Sequence, residues 1–145
     1  MLRPYLLLDD VDPESGPRKP YLLIVEDDES TRIFLRHALR VWYRTDFAAN
    51  AEEALLQAAA GDYDGFLVDI GLRTGQEDGI DVLEGLRTDE RYADAPVIAV
   101  TAHVLPGDRE HFLDSGFDAY LGKPFFRSDL LTVLDRFFGH RPADA

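Results

Sequence analysis

Four apolar runs in this chain each stop at residues able to do chemistry. Leu22-Leu23-Ile24-Val25 stops at Glu26 and Asp27, and Gly65-Phe66-Leu67-Val68 stops at Asp69. Val97-Ile98-Ala99-Val100 stops at Thr101, and Tyr120-Leu121-Gly122 stops at Lys123-Pro124. Three carboxylates, one hydroxyl and one ammonium thus stand at the carboxyl ends of strand-like segments. In an open parallel sheet those ends share one edge, where such sheets bind ligands. Acids together with a hydroxyl and a lysine suit a divalent metal and a phosphoryl group.

The carboxylates set the first constraint. Two unit charges ~4 Å apart interact by about 4 kcal/mol at an effective dielectric near 20. Glu26, Asp27 and Asp69 crowded at one edge would be partly protonated or would share a cation. Hard oxygen ligands, few in number, suit Mg²⁺ (or Mn²⁺), with waters completing the octahedron. Asp69 could then act as a nucleophile, since a carboxylate can accept a phosphoryl group as an acyl phosphate. Lys123 would neutralise the incoming charge. The chain has 13 arginines and two lysines, so a lysine at this place points to a need for a compact point charge. Each residue alone has a plainer reading. Glu26-Asp27-Asp28 could be a solvated turn capping a helix, Asp69 a turn residue, Thr101 an ordinary strand end and Tyr120 a half-buried core aromatic.

The elements that must position these groups alternate. Leu35, Ala38, Leu39 and Trp42 recur on one face and predict a helix from about Glu29 to Trp42, capped by Asp28. Arg44 to Ala48 reads as a short strand, and Glu52 to Ala60 as a helix stopped by Gly61. A polar loop is expected from Gly71 to Gly79, then a helix marked by Ile80, Leu83 and Leu86. Pro106 to Ser115 reads as a short polar helix and Asp118 to Gly122 as the fifth strand. Leu130, Leu131, Leu134, Phe137 and Phe138 mark an amphipathic last helix ending at Gly139. This alternation predicts an α/β chain, a flavodoxin-like (βα)5 doubly wound parallel sheet of strand order 2-1-3-4-5.

Composition narrows the class. The 145 residues fit one domain and need no staples to bury a core. With no cysteine there is no disulfide, zinc-thiolate site or thiol catalysis. A net charge of −13 argues against nucleic acid or anionic membranes as partners. No apolar stretch approaches the ~20 residues that span a bilayer, so a cytoplasmic place is expected. His37, His103, His111 and His140 lack metal-ligand spacing, and only His103 lies near the proposed site. Residues 1–20, with four prolines, read as a tail or an extra edge strand. Arg3-Pro-Tyr-Leu-Leu-Leu-Asp-Asp echoes Lys19-Pro-Tyr-Leu-Leu-Ile-Val-Glu-Asp-Asp within this reading. Residues 21–139 form the expected domain and 140–145 a short tail, leaving no room for an output domain.

The strings Leu22-Leu-Ile-Val-Glu-Asp-Asp-Glu, Leu67-Val-Asp-Ile-Gly-Leu, Val100-Thr-Ala-His and Asp118-Ala-Tyr-Leu-Gly-Lys-Pro-Phe resemble, in order and spacing, a receiver domain of the two-component response-regulator family, over about Tyr21 to Phe138. The stretch from Thr101 to Glu110 is most similar to receivers attached to hybrid histidine kinases. The resemblance implies a phosphoacceptor switch rather than an enzyme in the usual sense. Asp69 would accept a phosphoryl group from a histidine kinase or a histidine phosphotransfer protein. Asp27, Asp69 and the Gly71 carbonyl would bind Mg²⁺ and Glu26 would hold one of its waters, with glutamate a tolerated variant at position 26. Lys123 would pair with phosphoryl oxygens. Thr101 would turn to the phosphoryl group and Tyr120 would swing in behind it. That would repack the face of the fourth helix, fifth strand and last helix, offered to a downstream partner or a second copy. Gly71 and His103 match positions that tune the acyl phosphate's lifetime. One departure is Arg73, where the family usually has proline, in a loop lengthened between Arg73 and Asp78. The competing readings are a phosphorylation-independent binding module of the same fold and a small haloacid-dehalogenase-type phosphohydrolase. Glu29 breaks the Asp-x-Asp-x-Thr pattern that the latter would need.

Overall fold

The computed structural model of the chain describes residues 11–12, 16–70, 76–102 and 106–139. Five parallel strands form its sheet: β1 (Tyr21–Val25), β2 (Arg44–Ala48), β3 (Gly65–Ile70), β4 (Val97–Thr101) and β5 (Ala119–Gly122). Their order is β2-β1-β3-β4-β5. Helices α1 (Glu29–Leu39), α2 (Ala51–Ala60), α3 (Gln76–Arg87), α4 (Asp108–Asp114) and α5 (Arg127–Phe138) connect or follow them. This is the doubly wound, flavodoxin-like arrangement expected.

Side-chain alternation along the strands builds two cores. Leu22, Ile24, Leu67, Ile98, Val100, Ala119 and Leu121 face α1 and α5, meeting Leu35, Leu39, Leu130 and Leu134. Leu23, Val25, Phe66, Val68, Ile70, Val97 and Ala99 face the other way and meet Ala54, Val82, Leu83, Leu86 and Phe112. Strands covered on both faces must be apolar throughout, which is why they read as continuous runs. Each fully buried leucine contributes roughly 1.5–3 kcal/mol.

The amino edge of the sheet is closed by two repeated clips. Asp64 precedes β3; its backbone N–H donates to the Tyr21 carbonyl (2.7 Å), and its Oδ2 accepts from the Tyr21 N–H (2.7 Å). Asp118 precedes β5 and does the same at Val97, with distances of 2.8 and 2.8 Å. Asp118 therefore lies just outside the fifth strand, which starts at Ala119.

Some boundaries differ from the sequence expectation. Helix α1 stops at Leu39, and Trp42 and Tyr43 donate their N–H groups back to the Leu39 carbonyl in a turn. Helix α3 begins at Gln76, inside the segment expected as loop. Gly79 is thus helical, and proximity accounts for the missing side chain: a Cβ there would sit 2.9 Å from Ile70 Cγ1. Within residues 1–20, Val11–Asp12 pairs antiparallel with Gly16–Pro17, apart from the main sheet. Arg18 pairs with Asp64 at 3.4 Å, and the Lys19 ammonium donates to the Arg40 carbonyl. Residues 1–10 and 140–145, Gly71, His103 and the Arg73 side of the lengthened loop lie outside the described residues. His37 and His111 are exposed.

Candidate functional site

Glu26 continues β1 by donating its N–H to the Ala48 carbonyl (2.9 Å). In a strand, successive side chains point to opposite faces. Glu26 and Asp27 nevertheless reach one cluster, so the chain must turn between β1 and α1. Several hydrogen bonds hold that turn. Asp28 caps α1, accepting from the Thr31 N–H (2.9 Å) and hydroxyl (2.7 Å). The Asp28 N–H donates to Glu26 Oε2 (3.2 Å). Arg32 donates from Nε to the Glu26 carbonyl (2.7 Å) and from Nη2 to the Asp27 carbonyl (3.4 Å).

Asp69 enters from the end of β3 and Lys123 from the end of β5. Carboxylate oxygens of Glu26, Asp27 and Asp69 lie within 4.8 Å of one another. The Lys123 ammonium stands 3.0 Å from Asp69 Oδ1 and 3.1 Å from Glu26 Oε1. Oδ1 of Asp69 is buried and meets the ammonium as an ion pair, without an aligned hydrogen bond. Burial and the neighbouring Asp69 carboxylate push the Glu26 carboxyl up to about 7, against the opposing pull of Lys123. Burial lowers the Lys123 ammonium, but Asp69 and Glu26 outweigh it and carry its pKa above the usual value.

A cavity of about 10 Å³ opens beside these groups, lined by Glu26, Asp27, Asn50, Asp69, Gly79 and Val82. That is room for about one water-sized occupant. Three clustered carboxylates face one ammonium, the donors are all hard oxygens, and the adjoining space is small. Such a set fits a small divalent cation such as Mg²⁺.

Thr101 is fully buried at the end of β4, and its hydroxyl donates to the Ile70 carbonyl (3.1 Å). The Lys123 N–H donates to the Thr101 carbonyl (2.7 Å), tying the hydroxyl and the ammonium to one backbone junction. Tyr120 is half-buried, and its ring stacks on Phe112 of α4 (centroids 5.8 Å apart). The structure thus brings Glu26, Asp27, Asp69 and Lys123 together. It ties Thr101 to Lys123 through the backbone and packs Tyr120 against α4.

Sequence reasoning missed Arg32 and Asn50. Asn50 is the α2 N-cap, its side chain accepting from the Glu53 N–H (2.9 Å), and it also lines the cavity. Arg32 carried a usable signal. A cation in the first turns of a helix opposes the macrodipole, so its presence there points to a local partner.

Comparison with known proteins agrees with this geometry. The family model described as the response regulator receiver domain matches residues 22–135. KdpE, the KDP operon transcriptional regulatory protein of Escherichia coli (strain K12), is 39% identical over 114 residues, 78% of this chain and 48% of KdpE. The polar-differentiation response regulator DivK of Brucella anthropi is 32% identical over 119 residues, 81% of this chain and 95% of DivK. The chain therefore spans about half of KdpE and nearly all of DivK. Among solved structures, the receiver domain of sensor histidine kinase PA1611 from Pseudomonas aeruginosa PAO1 superimposes with a TM-score of 0.73 at 34% identity. The match covers 84% of this chain and 99% of that one, whose active site cleft holds a coordinated magnesium ion.

Proposed function

The chain belongs to the response regulator receiver domain family of two-component systems, and from that premise we propose that Asp69 is its phosphoacceptor. The observation that carries this is the convergence of Asp69 with Glu26, Asp27 and Lys123 at the carboxyl edge of the sheet. The donor is a phosphohistidine on a sensor kinase or a phosphotransfer protein. An Asp69 oxygen attacks phosphorus; the P–N bond breaks, an acyl phosphate forms and the imidazole leaves. Glu26, Asp27, Asp69 and the Gly71 carbonyl would hold Mg²⁺, which when bound offsets carboxylate charge and steadies the phosphoryl oxygens. Mn²⁺ suits the same oxygen ligands.

Lys123 already faces Asp69 and needs only a small movement to meet phosphoryl oxygens. The Thr101 hydroxyl exchanges its Ile70 acceptor for the phosphoryl group, and Tyr120 follows it inward. The surface of α4, β5 and α5 is then read by a downstream protein or a second copy. Gly71 and His103 set the acyl phosphate's lifetime. On this reading residues 21–139 are the working unit, a switch that catalyses only its own phosphorylation and dephosphorylation. Net charge −13 disfavours nucleic acid as a partner. A cytoplasmic place is part of this reading. Among the described residues no helix is long and apolar enough to cross a membrane.

The test is intact mass after incubation with acetyl phosphate and Mg²⁺. One added phosphoryl group is expected, absent in Asp69→Asn and in EDTA. A gain that persists in Asp69→Asn would move the acceptor elsewhere. No gain from acetyl phosphate or from a phosphorylated phosphotransfer protein would leave a binding module of the same fold.

A further inference from the structure

We infer that Arg32 is a positioning residue for the carboxylate cluster, acting through the main chain of the two acids rather than through their side chains. The inference rests on the metal-assisted phosphoacceptor reading of that cluster. Arg32 sits in the first turns of α1, where a cation opposes the helix dipole. Its side-chain hydrogen bonds reach back to two consecutive carbonyls, those of Glu26 (2.7 Å) and Asp27 (3.4 Å). Those two residues carry the two carboxylates that must leave strand alternation to point into one cavity. Arg36, one turn further along the same helix, and Arg40, at its C-cap, are exposed, while Arg32 is half-buried.

The choice of carbonyls as acceptors has a chemical meaning. A guanidinium placed on the carboxylates would occupy the lone pairs that a cation needs. Placed on the carbonyls, it fixes the backbone and leaves those oxygens available. The planar fork matters, because Nε and Nη2 hold two acceptors at once, which a lysine ammonium on a flexible stem does not reproduce. The Asp28 cap fixes the following residue to α1, so the turn is held from both sides.

Groups that orient metal ligands from behind typically contribute ~10–100-fold to metal affinity. The test compares the parent with Arg32→Gln and Arg32→Lys. Mg²⁺ binding is measured by titration calorimetry without a phosphoryl donor. Phosphorylation by acetyl phosphate is then followed against Mg²⁺ concentration, and thermal melting is recorded in EDTA. Arg32→Gln is expected to weaken Mg²⁺ binding about tenfold and to raise the half-saturating Mg²⁺ for phosphorylation by the same factor. The rate at saturating Mg²⁺ should fall much less. Arg32→Lys should lie between Arg32→Gln and the parent, and it serves if Arg32→Gln fails to fold. Unchanged Mg²⁺ affinity in both variants overturns the inference. So does a fall in the saturated rate with no change in half-saturation. A parent that binds Mg²⁺ but takes no phosphoryl group would defeat the phosphoacceptor reading, while the calorimetric arm would still decide the role of Arg32.

Discussion

Glu26 shows what a single carboxyl does when it is buried beside another acid. Its folded pKa is about 7 against an ordinary 4.5, first from burial and then from Asp69. In the metal-free protein, native chains hold an extra proton between those values. The stabilisation from that proton is fully present below about 4.5 and is lost as pH rises through about 7. In EDTA, the urea midpoint should therefore fall across this window, and the fall should flatten in Glu26→Gln. Saturating Mg²⁺ should also flatten it, because a bound cation favours the charged carboxylate. A parent midpoint that rises over the window in EDTA would contradict this assignment.

At the scale of elements, the strands were legible and some helix ends were not. Val97-Ile98-Ala99-Val100 reads as a strand because it is apolar on both faces, as a central parallel strand must be. The start of α3 was hidden because Gln76-Glu77-Asp78-Gly79 looks like a polar loop, and the contact that calls for Gly79 lies on β3. Trp42 fits the period of α1 but packs from the following turn. The site residues were legible by type and by their place at strand ends. Arg32 was legible only as a cation set against the helix dipole; its partners are main-chain carbonyls and carry no residue signature. Close approach also yields a prediction. A Cβ at Gly65 would sit 2.4 Å from Phe138 Cζ, where α5 closes over β3. Gly65→Ala should destabilise by about 1–3 kcal/mol through overpacking. Combining it with Phe138→Leu should cost less than the two single changes added together, measured by denaturant unfolding. Strict additivity would mean that the ring moves aside freely.

At the scale of the whole molecule, a receiver must have two arrangements close in free energy. Moving a population from 1:99 to 99:1 takes about 5.5 kcal/mol of differential stabilisation. One to three charge-assisted hydrogen bonds to a phosphoryl group, which Thr101 and Lys123 would supply on the proposed reading, are of that order. The aromatic group of Tyr120, Phe112 and Phe117 joins β5 to α4 on one side of the sheet. A phosphate analogue with Mg²⁺ should therefore shift the amide resonances of Tyr120 and Phe112 along with those of Asp69. In Thr101→Ala the shifts at Asp69 should remain and those at Tyr120 should shrink. Shifts confined to Asp69 and Lys123 in the parent would argue against a switch through Thr101.

The paired clips at Asp64 and Asp118 bear on how any such change can travel. Each ties an incoming strand to its neighbour by two bonds at the edge remote from the site. The ladder is thus riveted at its root in two places, and sliding β3 past β1, or β5 past β4, would break both hydrogen bonds of a clip. Events at the carboxylates lie at the opposite rim, and shear at the β1–β3 or β4–β5 junction would cost a clip. On the proposed reading a change at the site then travels more readily sideways, through the Tyr120–Phe112 rings into α4, over clipped junctions that keep their register.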